Sequence, residues 1–137
     1  MTYASFEDLE VWKRSCRLAI SVYEGMRDSR DYGLKDQMTR SAVSVPSNIA
    51  EGHERGTTRE FIRYLNIAKG SIAELRTQLY IAKGVEALEA RQATRMIAEC
   101  KELGAMLHGL AQSRSPKVGE TPSDDWPAEN LNLKTEN

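Results

Sequence analysis

The chain is organised around a helix-like segment that contains a proline, Arg40-Ser41-Ala42-Val43-Ser44-Val45-Pro46-Ser47-Asn48-Ile49-Ala50-Glu51-Gly52. Pro46 lacks the N–H that a helix interior needs, and its ring crowds the carbonyl of Ala42, four residues earlier. The segment therefore predicts a helix that bends at Pro46, with Ser47 or Asn48 bonding to the carbonyl that the proline leaves unpaired. Because the sequence on both sides is helix-periodic, the bent helix is expected to lie within a helical bundle.

The most regular helix follows this segment. Its apolar residues recur in alternating steps of four and three: Phe61, Leu65, Ala68, Ile72, Leu75, Leu79 and Ala82. Thr57 with Glu60 three residues later predicts a capping box at its start, Gly84 marks its end, and Gly56 suits the left-handed cap of the preceding helix. Beside the stripe runs a line of small or polar residues, Asn66, Gly70, Ala73 and Thr77. Such a line lets another backbone approach closely, so we expect packing there.

Three other helices are predicted from the same periodicity. The first begins near Ser5, with one stripe of Leu9, Trp12, Cys16, Ala19, Tyr23 and Met26 and a second stripe beside it, Val11, Leu18 and Val22. Two apolar stripes predict two packing neighbours, so we expect either this second stripe or the line of small residues on the third helix to support contact with another subunit. The second, the proline-bent helix, begins near Leu34 and points Leu34, Met38, Ala42, Val45 and Ile49 inward. The last spans about residues 88–112, with Ala93, Ile97, Cys100, Leu103, Leu107 and Leu110 inward. Short turns between long helices predict an all-α, antiparallel up-down-up-down four-helix bundle over residues 1–114.

Charge is divided unevenly along the chain. Residues 1–114 carry 17 Lys and Arg against 15 Asp and Glu, whereas residues 115–137 carry 2 against 5. The second part is also rich in Ser, Pro, Gly and Asn, which predicts a disordered acidic tail. The balance is not that of a dedicated nucleic-acid-binding domain. Binding to a polyanion would need clustering of charge or its repetition in a symmetric oligomer.

The sequence also predicts where the protein resides. The first residues have no cationic start followed by an apolar run, and no stretch reaches the roughly 18 apolar residues of a membrane span. We therefore expect a cytoplasmic protein with no membrane partner. Cys16 and Cys100 are isolated and have apolar neighbours at helical spacing, so we interpret both as buried thiols rather than a disulfide.

No catalytic, metal or cofactor site is predicted. The Glu-x-x-His motif of metal-binding bundles is absent, because Ala50 and Ala105 stand three residues before His53 and His108. No Gly-Lys-Ser/Thr sequence follows a glycine to form a phosphate loop. Serines are frequent, but no histidine and carboxylate are placed by sequence to activate one.

Arginine clusters are the remaining functional signal. Arg55, Arg59 and Arg63 step by four across the junction of the second and third helices. The candidate nucleic-acid-binding residues are Arg14, Arg17, Arg40, Arg55, Arg59 and Arg63, with Lys13 beside the first two. Such side chains can contact phosphates without reading base sequence. The alternative is a solvated surface in which these arginines pair with neighbouring glutamates.

Several motifs carry a family resemblance: Phe6-x-x-Leu9-x-Val11-Trp12, Tyr32-Gly33-Leu34-x-x-Gln37-x-x-Arg40, the segment from Ser44 to Gly52, and Glu60-Phe61-x-x-Tyr64-Leu65-x-Ile67-Ala68-x-Gly70-Ser71. Over about residues 6–110 the chain closely resembles the four-helix-bundle proteins encoded within intervening sequences of bacterial 23S ribosomal RNA genes. The accessory variability proteins of diversity-generating retroelements look like relatives. The resemblance implies a ring-shaped homopentamer. In the retroelement members it also implies action with a reverse transcriptase and nucleic acid through a basic surface.

Three functional hypotheses follow. The first is a non-enzymatic oligomeric bundle that binds structured RNA, DNA or a nucleic-acid-processing protein through its arginine clusters. The second is an oligomeric scaffold for protein partners with no nucleic-acid role, consistent with the near-neutral charge. The third is an enzyme or ligand-binding bundle that uses the polar groups around Pro46.

Overall fold

The structure, a computed structural model, describes residues 5–116. These residues form four α-helices and no strand: α1 (Glu10–Gly25), α2 (Tyr32–Glu54), α3 (Thr58–Gly84) and α4 (Ala90–Arg114), preceded by a 3-10 helix at Phe6–Asp8. The predicted all-α class with four helices is therefore confirmed for this part of the chain. The predicted disordered tail lies, from residue 117 onward, outside the described residues.

Each helix packs against two others. α1 contacts α2 and α4, and α3 contacts the same two helices from the other side. Between α2 and α3, the hydroxyls of Ser44 and Ser71 lie 2.9 Å apart, and Gly52 faces the side chain of Tyr64. A single hydrophobic core lies between the four helices.

The core follows the predicted stripe of α3. All seven of its apolar residues are buried, and Leu65, Leu75 and Leu79 are completely so. On α2 and α4 the predicted inward residues are also buried, except Leu34 and Leu110, which are partly exposed and pack against the edge of the core. A strict helical period of apolar residues was therefore a sufficient signal for these three helices.

Both predicted stripes of α1 contribute to the core, with two exceptions. Ala19 and Met26 of the first stripe are buried, and Leu9 and Trp12 pack against the core, but Tyr23 is 52% exposed and Cys16 is only partly buried. The second stripe is buried within the chain, together with Ser15, so it does not provide the predicted subunit contact: Val11, Leu18 and Val22. The Ser15 hydroxyl donates to the carbonyl of Trp12, 2.9 Å away, which lets a serine occupy a core position. Both stripes have helical period, so only contact with α2 and α4 distinguishes them.

The two cysteines differ in environment. Both are free thiols, and Cys100 is buried as predicted, with a pKa that burial raises to about 12. The prediction was wrong for Cys16, which is only partly buried. Burial also raises the pKa of Cys16, and the nearby positive charge of Arg17 opposes this effect.

Three helix caps were predicted, at Ser5, Gly56 and Thr57, and the structure confirms the last two. The Thr57 hydroxyl accepts from the N–H of Glu60, and Gly56 adopts a left-handed φ of 84°, both as predicted. Ser5 also accepts from a backbone N–H, that of Glu7, but it caps the 3-10 helix. The prediction that Ser5 opens α1 was therefore wrong, because a tighter turn intervenes before Glu10.

α2 continues through Pro46, which is buried. The Asn48 side-chain amide donates to the carbonyl and the hydroxyl of Ser44, at 2.8 and 2.9 Å. The sequence had predicted that Ser47 or Asn48 would serve the carbonyl of Ala42. For Asn48 this was wrong, because its side-chain amide bonds to the carbonyl of Ser44, four residues earlier, and not to that of Ala42.

Replacement of Glu86 by glycine is expected to raise the free energy of unfolding by roughly 0.5 to 1 kcal/mol. Glu86 has a φ of 60°, and the N–H of Ala87 closes a turn onto the carbonyl of Ala82 at 2.9 Å. A left-handed residue with a side chain is strained at such a helix end, whereas glycine is not. Urea unfolding would measure the gain, and Val85→Gly, at a negative φ, is the control that should lose stability. Equal destabilisation by both changes would contradict the prediction.

Candidate nucleic-acid interface

The junction of α2 and α3 brings predicted arginines together. Only residues 55–57 connect the two helices. Just before this junction, an ideal Cβ on Gly52 would lie 2.4 Å from the Cβ of Tyr64, so α2 and α3 approach too closely there for any side chain. Tyr64 is consequently buried, with 8% of its surface exposed.

The Tyr64 hydroxyl is the centre of this arrangement. It donates to Oε2 of Glu51 at 3.0 Å and accepts from Nη2 of Arg55 at 2.8 Å. The same Arg55 nitrogen donates to the same Glu51 oxygen at 3.0 Å. Three polar groups from two helices thus form a closed triangle of hydrogen bonds.

Two guanidinium groups also lie against the Tyr64 ring. The Cζ atoms of Arg55 and Arg63 are 5.3 and 5.2 Å from its centroid, within the range of cation–π attraction. Arg63 also contacts Glu60 at 3.4 Å. Arg59 is one turn before Arg63 on α3, so the two share a helix face. We call Glu51, Arg55, Arg59, Arg63 and Tyr64 the corner cluster.

Hydrogen bonds within the corner cluster shift the pKa values of Glu51 and Arg55. The hydrogen bond from Arg55, and then that from Tyr64, hold the pKa of Glu51 below its usual value. The Glu51 carboxylate in turn raises the pKa of Arg55. Because the folded pKa of Glu51 is depressed, the stabilisation from this contact is present above the ordinary glutamate pKa and is lost as pH falls through the folded value.

Arg14 is positioned differently from the corner arginines. Its Nε donates to Glu99 on α4 at 3.0 Å, and its Nη2 lies 3.2 Å from Glu102. Its side chain is mostly buried, and the hydrogen bond to Glu99 is the main reason that its pKa is raised. Two carboxylates therefore compensate the charge of Arg14, which joins α1 to α4.

Arg17 and Arg40 are exposed and each pairs with a carboxylate on its own helix. Arg17 contacts Glu10 at 3.4 Å on α1, and Arg40 contacts Asp36 at 3.1 Å on α2. Arg40 precedes Arg55 by fifteen residues on one helix, or about 22 Å. The structure thus brings Arg55 and Arg63 together around Tyr64, and Arg40 does not join them.

Sequence reasoning missed Tyr64 and Glu51 as members of this site. A signal was available for Tyr64, because Gly52 in a helix interior indicates a close neighbour. It also missed Arg114, whose Cζ lies 5.5 Å from the Phe61 ring centroid. Arg114 lines a cavity of about 160 Å³ at the same end of α3, together with His53, Gly56, Thr57, Thr58 and Phe61.

Within residues 5–116, no group of three or more His, Cys, Asp or Glu side chains could hold a metal ion. None of the four helices combines the length and apolar character needed to cross a bilayer.

Comparison with known proteins identifies the family. Residues 7–109 match the family model described as 23S rRNA-intervening sequence protein. The chain belongs to this family. The motifs around Pro46 and along α3 predicted membership of the 23S rRNA-intervening sequence proteins, and the family match confirms it. A search of curated proteins gave no significant match.

A solved structure supports the fold of this 23S rRNA-intervening sequence protein. The chain is similar to a protein of unknown function from the S23 ribosomal protein family of Bacteroides thetaiotaomicron VPI-5482. The TM-score is 0.71, with 21% identity over 74% of this chain and 98% of that one. A likeness at this level of identity supports the shared fold and carries no residue roles.

Proposed function

We propose that this protein is a non-enzymatic oligomeric bundle that binds structured RNA, or a nucleoprotein partner, through the corner cluster. The observation that carries the proposal is the exposed Arg55 and Arg63 held on one buried tyrosine. Such guanidinium groups are held in defined positions, so less side-chain entropy is lost when they bind phosphate. Arg59 adds a further positive charge on the same face of α3.

The family supports an RNA connection. Its description refers to sequences that interrupt 23S ribosomal RNA. The family name therefore supports structured RNA as the ligand class. The near-neutral charge of the chain limits the affinity of a single copy, and repetition of the corner cluster by symmetry would increase it.

The proposed assembly requires a particular bundle topology. We propose that the four helices alternate in direction. Contacts between neighbouring helices support this, since residue numbers rise along one helix as they fall along the other. Between α2 and α3 the contacts are Ser44 with Ser71 and Gly52 with Tyr64. Between α3 and α4 they are Lys69 with His108 and Ile72 with Gly104. We also propose that Pro46 bends α2, because it removes a backbone hydrogen bond from the helix interior.

We further propose a ring-shaped homo-oligomer, a pentamer by family resemblance, with a subunit contact on the outer face of α3. Gly70, Ala73 and Thr77 are exposed there, and Ile81 is 49% exposed. A groove of about 400 Å³ between α2 and α3 is lined by Gln37, Ala73, Glu74, Thr77, Gln78 and Ile81.

Light scattering is expected to give a mass about five times that of the 15.4 kDa chain at micromolar concentration. Covering the exposed apolar residues of α3 is the physical reason, since burial of such surface drives association. Ile81→Glu should dissociate the assembly, and Ile20→Glu, an equally large exposed apolar residue on α1, is the control. A monomeric mass for the unchanged protein would refute the proposal.

The second candidate is a scaffold for protein partners with no nucleic-acid role. The same exposed groove between α2 and α3 favours it, because such a groove suits a polypeptide as well as another copy of the chain. The net charge of −1 is consistent with this candidate.

Titration with RNA and DNA at two salt concentrations separates the two candidates. Phosphate contacts predict a steep loss of affinity between about 50 and 200 mM salt, because binding releases counterions. A structured RNA hairpin and a DNA duplex of matched length are the probes. Absence of binding at the lower salt concentration would refute the nucleic-acid proposal and leave the scaffold.

A further inference from the structure

The corner cluster already holds an anion, the carboxylate of Glu51. Its Oε2 accepts from a guanidinium N–H of Arg55 and from the hydroxyl of Tyr64, both at 3.0 Å. A phosphate oxygen is recognised by the same donors, a guanidinium fork and a hydroxyl. The carboxylate therefore occupies the position that a phosphate oxygen would take.

The donors are positioned by the fold rather than by Glu51. Tyr64 is buried and fixed by its close contact with Gly52, and its ring lies against the guanidinium groups of both Arg55 and Arg63. The positive charge of Arg63 also reaches this position, since it contributes to lowering the pKa of Glu51. Removing Glu51 would therefore leave the donors in place.

Glu51 can leave this position more readily than its partners. Its side chain is 52% exposed and Arg55 is 47% exposed. Exposed ion pairs of this kind contribute little in water, so a ligand with several phosphates can displace the carboxylate into solvent.

We propose that Arg55, Tyr64 and Arg63 form a phosphate-binding site, and that Glu51 is an intramolecular competitor that a nucleic-acid phosphate displaces. This inference rests on the proposed function and specifies which donors hold the phosphate. Tyr64 donates its hydroxyl proton to the bound oxygen, and Arg55 donates an N–H to the same oxygen. Arg63 supplies a second positive charge.

The test compares two variants that each remove one negative charge from α2. Glu51→Gln removes the competitor, whereas Asp36→Asn frees Arg40 from an equally spaced ion pair outside the corner cluster. Glu51→Gln should bind a structured RNA hairpin about twofold more tightly than Asp36→Asn at low salt. Because both variants change the net charge equally, the comparison removes the general effect of charge.

A third variant tests the hydroxyl. Tyr64→Phe keeps the ring that packs against Gly52 and removes only the donor, so it should bind the hairpin about threefold or more weakly than the unchanged protein. Unchanged unfolding midpoints would show that the loss arises in binding. Equal affinities of Glu51→Gln and Asp36→Asn would overturn the proposal.

Inorganic pyrophosphate separates this inference from the proposed function. NMR shifts at Arg55, Arg63 and Tyr64 on pyrophosphate addition, with tighter binding in Glu51→Gln, would support the phosphate site even if no variant binds RNA. In that case the RNA-binding proposal alone would fall. An absence of shifts at these residues in Glu51→Gln would overturn the site, whatever RNA does.

Discussion

Substitution of Gly52 by alanine is expected to lower the free energy of unfolding by about 2 kcal/mol. The new Cβ would lie 2.4 Å from the Cβ of Tyr64 and 3.4 Å from the carbonyl oxygen of Phe61. Two carbon atoms pack best at about 3.5–4.0 Å, so α2 and α3 must move apart. Overpacking of this kind costs about 1–3 kcal/mol, and the higher helix propensity of alanine offsets about 1 kcal/mol. The neighbouring atom is a Cβ and not the end of a flexible side chain, so the overpacking cost should lie near the top of its range of about 1–3 kcal/mol. The net loss is then about 2 kcal/mol after the gain in helix propensity.

The matched control is Gly70→Ala, on the outer face of α3. An added Cβ there has no atom within 4 Å in the single chain. Alanine should therefore stabilise the isolated chain by about 1 kcal/mol through helix propensity alone. Urea unfolding of both variants measures the difference, which should be about 3 kcal/mol.

Gly70→Ala also reports on assembly. If the outer face of α3 packs against a neighbouring subunit, the extra methyl group will lower the assembled fraction in light scattering while the chain itself stays folded. Equal stability of the Gly52→Ala and Gly70→Ala variants would contradict the close approach of α2 and α3.

Reversal of charge at Arg59 and Arg63 is expected to weaken binding of structured RNA by about hundredfold at about 50 mM salt. Two positive charges on one face of α3 are replaced by negative ones in every subunit. Each lost phosphate contact should also reduce the slope of log affinity against log salt by about 1. The fold should persist, because both residues are exposed and the Thr57 cap is retained.

Arg91 and Arg95 provide the control for this reversal. They are an exposed pair with the same i,i+4 spacing on α4, outside the predicted binding residues. Their reversal to glutamate changes the net charge equally, so it should weaken binding by only a few-fold through the general field of the protein. Fluorescence anisotropy with a labelled hairpin measures both variants. Equal effects of the two reversals, or an unchanged affinity for Arg59 and Arg63, would exclude the corner cluster as the interface.

The accuracy of the sequence predictions depended on the range of the interaction concerned. The stripe of α3, the Thr57 cap and the left-handed Gly56 were all predicted, because each depends on residues within a few positions along the chain. On α1 the exposure of Tyr23 and Cys16 was not predicted, because two apolar stripes of equal period lie side by side and contact with α2 and α4 decides which of their residues are buried.

The candidate site shows the same division. Arg55, Arg59 and Arg63 were identified from their spacing, and the shared face of Arg59 and Arg63 follows from helical geometry. The spacing did not show that the guanidinium groups of Arg55 and Arg63 would both lie against the Tyr64 ring. The spacing also did not show that Arg14 would be compensated by Glu99, 85 positions away.

Local sequence was therefore enough to specify four helices, the Thr57 and Gly56 caps and most of the buried faces, because hydrophobic period and capping act over one or two helical turns. The motifs from Phe6 to Ser71, the proline segment among them, indicated the family. The tertiary structure was needed to show that Gly52 leaves room for Tyr64 between α2 and α3. It was also needed to show that Arg55, Arg63 and Glu51 all contact Tyr64. The physical reason is that such contacts depend on the register between packed helices, which is set by side-chain packing across the whole core.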